Sequence, residues 1–469
     1  MKNAWVAVWL ALVASACAVG PNYQRPDLKV PDRYRFSADC AADAALGEMP
    51  WWDLYQDAHL RDLVRIALTE NADVRIAAAR VEEARALAGS ARLQLLPQVS
   101  AQAGAQRAKI SLDQLKAGQA RFGNVFDVEG TAAYELDFWG RLRRLDQASR
   151  ADLLASEYAK RAVQVSLVSD VASTYFEMVT LKRELAISHR TVDTRLKLVE
   201  LTKAKHERGV ISGLDVAAAE AQLAVARVAI PQQELALARA EHHLSVLLGR
   251  YPQSFDIPES DLTATISPVP PAGLPASLLE RRPDVQQSEA QLVAANARLG
   301  AAKAALFPTL SLTGAFGGIS TDLSRLFTPE TAAWSVSAGL LQPLLDPQRS
   351  LYQKRAADAR RQQALNGYAQ TVQRALQEVA DALISRTKQA EIESAQRDQV
   401  DALRRASTIA HARYDVGTAS YVDVTNADRD LFTSELALVT ANQDSLLATV
   451  QLYRALGGGW QPESTRDVK

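Results

Sequence analysis

The chain has 469 residues, 48% of them hydrophobic, enough for a large core and two or three domains. Fifty-three Lys and Arg against 54 Asp and Glu leave a net charge of −1, so no basic footprint points to nucleic acid. Two cysteines cannot make a disulfide framework. Six His and three Met, in no HxxxH or CxxC spacing, offer a metal or other cofactor no usual ligand set.

Lys2 opens an N-terminal stretch whose apolar run, Ala4 to Val13, is too short to span a bilayer, and Ala14-Ser15-Ala16 precede Cys17. This is the pattern of a bacterial lipoprotein signal peptide over 1–16, with Cys17 as the lipidated first mature residue. Losing Lys2 with the signal takes the net charge from −1 to −2. Cys40 then has no intramolecular partner. "AVGPNYQRP" follows as an extended segment set by Pro21 and Pro26.

The rest of the chain repeats itself. Residues 72–100 lie over 283–311 at an offset of 211, matching Asp73 with Asp284 and Pro97 with Pro308. Residues 208–223 lie over 416–431 at an offset of 208, matching Gly209 with Gly417, Ser212 with Ser420 and Asp215 with Asp423. A period near half the chain is too long for a solenoid and implies pseudo-twofold architecture.

Each copy reads in the same order. An Ala-rich helix (72–95, 283–306) ends before Pro97 or Pro308, and segments of period two follow. Val99, Ala101 and Ala103 alternate with Gln98, Ser100 and Gln102. Val128, Ala132, Tyr134 and Leu136 alternate with Asp127, Glu129, Thr131 and Glu135. In the second copy Leu310, Leu312 and Phe316 alternate with Thr309, Ser311 and Thr313, and Trp334, Val336, Ala338 and Leu340 with Ser335, Ser337 and Gly339. Four strands with one wet and one apolar face cannot close a barrel alone, so a barrel reading requires several chains.

Residues 143–208 and 350–416 contain no Pro, and each predicts one helix roughly 100 Å long at about 1.5 Å per residue. Gly209 and Gly417 end them, and helices return over 213–248 and 421–456. Pro231 should kink the first return; the second has Val439 there. Ser212-x-x-Asp215 and Ser420-x-x-Asp423 have capping-box spacing. No catalytic constellation emerges. Arg141 and Arg349 sit at strand-to-helix exits, and His242-His243 point about 100° apart on a helix. Pro283 and Asp284 in "RRPDV" fit a plain helix start.

"CAVGPNYQRP", "ERRPDV", "YRALGGGW" and the duplicated helix–hairpin–helix plan resemble the TolC-like outer-membrane efflux factors, specifically the lipoprotein branch that serves resistance-nodulation-division pumps. The resemblance implies an α+β, mainly α fold: a long-helix coiled-coil barrel and two β-hairpins per chain, whose four strands join a homotrimeric, twelve-stranded transmembrane β-barrel. It implies a passive duct for drugs or toxic compounds. That duct is held in outer-membrane lipid, has its helices in the periplasm, and works with a periplasmic adaptor and an inner-membrane pump. The organisation expected is signal peptide 1–16, lipidated segment and start of an equatorial collar 17–58, and first repeat 59–249 (hairpin about 97–140, tip about 209–213). A Pro-rich linker follows at 250–275, then a second repeat at 276–456 (hairpin about 308–345, tip about 417–420) and a tail at 457–469.

By position, Asp423 corresponds to the family's ring acid at the periplasmic mouth, with Tyr414 and Asp215 as partners in a latch. Gly209, Val210, Ser212, Gly417, Thr418 and Ser420 form the tips that meet the adaptor. Asn426 and Ala419 stand where some members carry an acid and an arginine. The alternatives are a duct for type I protein secretion, disfavoured by the lipobox and "RRPDV", and a helical periplasmic adaptor lipoprotein, disfavoured by the duplication.

Overall fold

The computed structural model describes residues 19–31, 50–109, 111, 122–257, 275–342 and 347–458. Cys17 and Cys40, the signal peptide, most of the Pro-rich linker and the tail from residue 459 lie outside the described residues.

The elements run in chain order as α1 (Trp51–Leu54), α2 (Ala58–Glu70), α3 (Ala72–Leu93), β1 (Gln98–Lys109), β2 (Phe122–Leu136), α4 (Arg141–Glu207) and α5 (Gly213–Leu247). Then come α6 (Pro275–Arg281), α7 (Pro283–Ala304), β3 (Thr309–Ser320), β4 (Ala332–Leu341), α8 (Pro347–Asp415) and α9 (Tyr421–Ala455). The two long helices have 67 and 69 residues, and each of the two that follow has 35. The α5 assignment runs through Pro231 without a break. The described residues form two compact units, each built from separate stretches of chain.

The first unit, which includes Arg80–Ser156 and Gln287–Ala369, holds the strands. They form one antiparallel sheet in the order β1-β2-β3-β4. Its register aligns the apolar positions of all four strands into rows, because directly opposed residues share a face. Val99, Ala132, Gly314 and Val336 make one row, and Ala101, Gly130, Phe316 and Trp334 the next. Tyr134, Leu312 and Ala338 continue the same face. Ser100, Thr131 and Ser335 make a row on the other face, as do Gln102 and Glu129. The apolar face is bare: Trp334 and Val336 are about three-quarters exposed (76% and 75%). Among the described residues β1 and β4 are both unpaired edges, and every β4 residue is exposed.

At the base of the sheet Trp139 stacks on Phe307 (centroids 4.5 Å apart), meets Phe138 edge-on and donates Nε1–H to the Pro308 carbonyl at 2.9 Å. Arg141, opening α4, holds Glu135 at the end of β2 through two bonds of 2.9 and 2.7 Å. Residues 19–27 lie across α4 and α7 as an extended strap. Val19 N–H donates to the Trp139 carbonyl, Asn296 to the Pro21 carbonyl, and Arg144 to Asn22. Tyr23 and both arms of Arg25 converge on Glu289 at 2.6–3.0 Å. Gly20 has φ +109°, and a Cβ there would lie 2.7 Å from the Gly300 Cα. Only glycine permits this approach. Gly20→Val should therefore lift the strap and accelerate amide exchange at Val19. Glu289→Gln, which weakens a partly exposed pair worth at most about 1 kcal/mol, should accelerate it less.

The second unit holds a core of fully buried Leu54, Leu60, Val64, Tyr175, Phe176, Met178, Leu244, Leu248 and Tyr453. Tyr175 donates to Asp57 Oδ2 at 2.6 Å, while Asp57 Oδ1 caps α2. The duplication is legible in its bonds. Asn71 at the start of α3 donates to the Leu247 carbonyl at 2.9 Å. Arg282, the same position in the second copy, donates to Ala455, the matching carbonyl, at 3.0 Å.

Candidate functional site

Each long helix ends in the same hydrogen-bonded turn. Val210 N–H reaches back to the Lys205 carbonyl and Gly209 N–H to His206; Thr418 reaches Arg413 and Gly417 reaches Tyr414. Gly209 and Gly417 adopt φ +71° and +75°. A Cβ would meet nothing within 4 Å at either, so glycine is needed for backbone conformation and not for space.

The return helices start with acids turned back on their caps. Asp423 Oδ2 accepts from Ser420 N at 3.0 Å and Ser420 Oγ at 2.9 Å, and Asp423 N–H donates to Ser420 Oγ at 3.3 Å. These bonds from Ser420, with Arg413 nearby, hold the Asp423 carboxyl below its ordinary range. Asp215 Oδ2 accepts from Ser212 N and Oγ, both at 3.0 Å. Around these caps Val210, Leu214, Val416 and Val422 are exposed. Each hairpin thus ends in an apolar tip on a rigid turn.

Behind the tips Val199, Ala219, Leu223, Tyr414, Tyr421 and Val424 pack as one cluster drawn from α4, α5, α8 and α9. The Tyr414 and Tyr421 rings lie 5.5 Å apart, and Lys205 Nζ sits 4.3 Å from the Tyr414 ring. Burial, then Asp215 and Asp415, pushes the Tyr414 phenol up. Its hydroxyl is buried with no hydrogen-bond partner among the described residues. Within one chain, Tyr414 and Asp215 are near enough to interact electrostatically but are not joined by a bond. Asp215 and Asp423 both serve as caps.

Three ion pairs between the two helices of a hairpin escaped sequence reading: Arg404–Glu435 at 2.8 Å, and the matched pairs Lys203–Glu220 at 2.7 Å and His411–Asp428 at 2.9 Å. The 208-residue offset maps Lys203–Glu220 onto His411–Asp428 and is the signal that could have found those two. The Arg282 guanidinium in "RRPDV" lines a cavity of about 530 Å³ but is committed to Asp284 (2.6 Å), Glu378 (2.7 Å) and Ala455. It has no spare charge for an anion. Among the described residues no cluster of His, Cys, Asp and Glu could hold a metal ion. None of the described helices is long and apolar enough to cross a membrane.

The profile of the family described as "Outer membrane efflux protein" matches twice, over residues 63–250 and 274–458. The probable efflux pump outer membrane protein TtgC of Pseudomonas putida is 34% identical, over 97% of this chain and 95% of its own. The cation efflux system protein CusC of Escherichia coli is 33% identical, over 96% and 98%. A solved membrane protein from Pseudomonas aeruginosa superposes with a TM-score of 0.89 at 31% identity, over 94% of this chain and 100% of its own. The outer-membrane channel OprN gives 0.88 at 31%, over 95% and 100%. The fold is that of the TolC-like channels, the likeness spans both copies of the duplication, and the chain belongs to the outer membrane efflux protein family, as an efflux channel protein of the outer membrane.

Proposed function

We propose that this protein is the passive exit duct of a tripartite resistance-nodulation-division efflux system. It forms a homotrimer whose twelve strands close one barrel, while α4, α5, α8 and α9 of each chain continue as a periplasmic tunnel. The observation that carries this reading is the sheet itself. A bare apolar face suits lipid, and two long open edges demand strands from other copies. Phe138, Trp139 and Phe307 fit the aromatic girdle that marks a membrane interface. Its cargo is small molecules, including drugs or toxic compounds; relatives are named for toluene, antibiotic and cation efflux.

In this reading the duct performs no chemistry, and energy comes from the inner-membrane pump. The apolar tips with Gly209, Val210, Ser212, Gly417, Thr418 and Ser420 receive the periplasmic adaptor. Asp423 from three chains rings the mouth, and the unsatisfied Tyr414 hydroxyl turns to Asp215 when neighbouring hairpins latch. Cys17 carries lipid, a second and weaker hold on the membrane. Native mass spectrometry in detergent tests both parts. A trimer whose subunits begin at acylated Cys17 is expected, and Cys17→Ser should lose the lipid mass while a fraction remains trimeric. A monodisperse monomer would overturn the barrel, and an unmodified chain starting elsewhere would overturn the anchor.

A further inference from the structure

The two hairpins carry one brace in two chemistries. In the first, Lys203 on α4 meets Glu220 on α5, both side chains half exposed. The offset of 208 carries these positions onto His411 on α8 and Asp428 on α9. There His411 Nε2 lies 2.9 Å from Asp428 Oδ2 and 3.0 Å from Oδ1, and Ser407 Oγ donates to Oδ1 at 2.7 Å. The Asp428 side chain is 19% exposed against 51% for Glu220. A permanent cation has thus been exchanged for an imidazole, the side chain whose ordinary pKa falls between pH 5 and 8, beside a more buried acid.

The surroundings make the exchange consequential. On α4 the 4%-exposed Arg195 faces Asp428 and donates Nη1–H to the Gln222 carbonyl of α5 at 2.5 Å. Its guanidinium lies 5.0 Å from the Phe432 ring of α9, and its buried Nη2 has no hydrogen-bond partner among the described residues. Asp415 on α8 acts on His411, and Tyr421 on α9, its phenol pushed up to about 12 chiefly by burial, faces Asp428. Asp428 is therefore flanked by a fixed cation from the first hairpin and a titratable one from its own. The hydrogen bond to Asp428 raises the His411 pKa above 6.5, burial opposes, and the charges of Asp428 and Asp415 add to the rise.

We propose that His411–Asp428 is a titratable brace binding α8 to α9 behind the mouth, so that the tip end of the second hairpin, beyond the permanent Arg404–Glu435 pair, loosens as pH rises while the first, held by Lys203–Glu220, does not respond. The inference rests on the gated-duct reading and deepens it. The protonated brace is fully present below about pH 6.5 and is lost as pH climbs through the raised value. Neutral His411 keeps at most an uncharged N–H bond to Asp428, whose charge is then met only by the Ser407 hydroxyl and the field of Arg195 from the other hairpin.

The test uses the full-length trimer in detergent, with spin labels on Ile409→Cys (α8) and Thr433→Cys (α9) in a Cys40→Ser background, and wild-type, His411→Lys and His411→Gln versions of that chain. The interlabel distance distribution should broaden between about pH 6 and about pH 8 with His411. It should stay narrow with His411→Lys, which recreates the first hairpin's pair, and broad throughout with His411→Gln. A pH response in His411→Lys equal to that of the parent, or no response in the parent, overturns the brace. Bilayer conductance over the same range separates the readings. If the labels respond as expected and conductance does not follow, the brace stands and the mouth reading falls.

Discussion

Val336→Arg is expected to remove most of the protein from the outer membrane, while Ser335→Arg, one residue earlier, is expected to leave its insertion almost unchanged. Val336 sits at the middle of the ten-residue β4, and its row across the sheet is Val99, Ala132 and Gly314. In a barrel that row faces hydrocarbon. A cation near the midplane of such a face costs about 2–4 kcal/mol per chain, and a trimer carries it in each subunit. Ser335 opposes Ala315 and lies in the row of Thr131 and Ser100, on the wet side, where an added guanidinium remains hydrated. Fractionation of outer membranes, with trimer yield read on unheated gels, measures the difference. Equal yields for the two variants would mean that the apolar face is covered by something other than lipid. Leu340→Arg, toward the strand end, should fall between them, because the cost of a charge declines toward the interface.

The contrast between those neighbouring residues was legible in the sequence because a strand's period of two needs no tertiary information. The same holds for the long helices and their turns. Residues 143–208 and 350–416 offer no Pro to stop a helix, and the observed helices begin and end within three residues of those limits. At the tips, Ser420 and Asp423 sit three apart, and local geometry alone makes them a cap. What escaped were contacts joining distant parts of the chain. Gly20 against Gly300 looks in sequence like two ordinary glycines. Asn71 and Arg282 share a role in the two copies with no chemical likeness, since each only has to deliver an N–H to a carbonyl at the end of a return helix. Lys203–Glu220 and His411–Asp428 were hidden for a different reason. Partners seventeen residues apart across a turn meet only once the register of two antiparallel helices is set. The Tyr414–Asp215 bond is absent within one chain because Asp215 is already engaged by Ser212 and the Tyr414 ring is packed against Tyr421.

Asp423→Asn is expected to pull the cation selectivity of the channel toward unity and to weaken block by divalent cations, with the fold unchanged. Two roles are separated in this way, the helix cap that Asp423 forms with Ser420 and the ring acid proposed above. As a cap, Asp423 needs only an acceptor for Ser420, and an asparagine oxygen supplies one. As a member of a ring of three, it needs its charge, because a local excess of cations at a constriction follows from the field of the fixed anions. The bonds from Ser420 hold its carboxyl below the ordinary range, so a ring of three would stay ionised at neutral pH and would lose its effect only as acid overtakes that lowered value. Ser420→Ala is the complementary variant. It should cost about 1 kcal/mol of hairpin stability as a lost cap while leaving the charges and therefore the selectivity in place. Reversal potentials in planar bilayers under a salt gradient, set beside thermal melting of the same preparations, read both effects. If Asp423→Asn keeps the wild-type reversal potential, the carboxylate is a helix cap and nothing more. If Ser420→Ala shifts the potential as strongly as Asp423→Asn, the order of the tip, and not the charge it carries, sets the passage of ions.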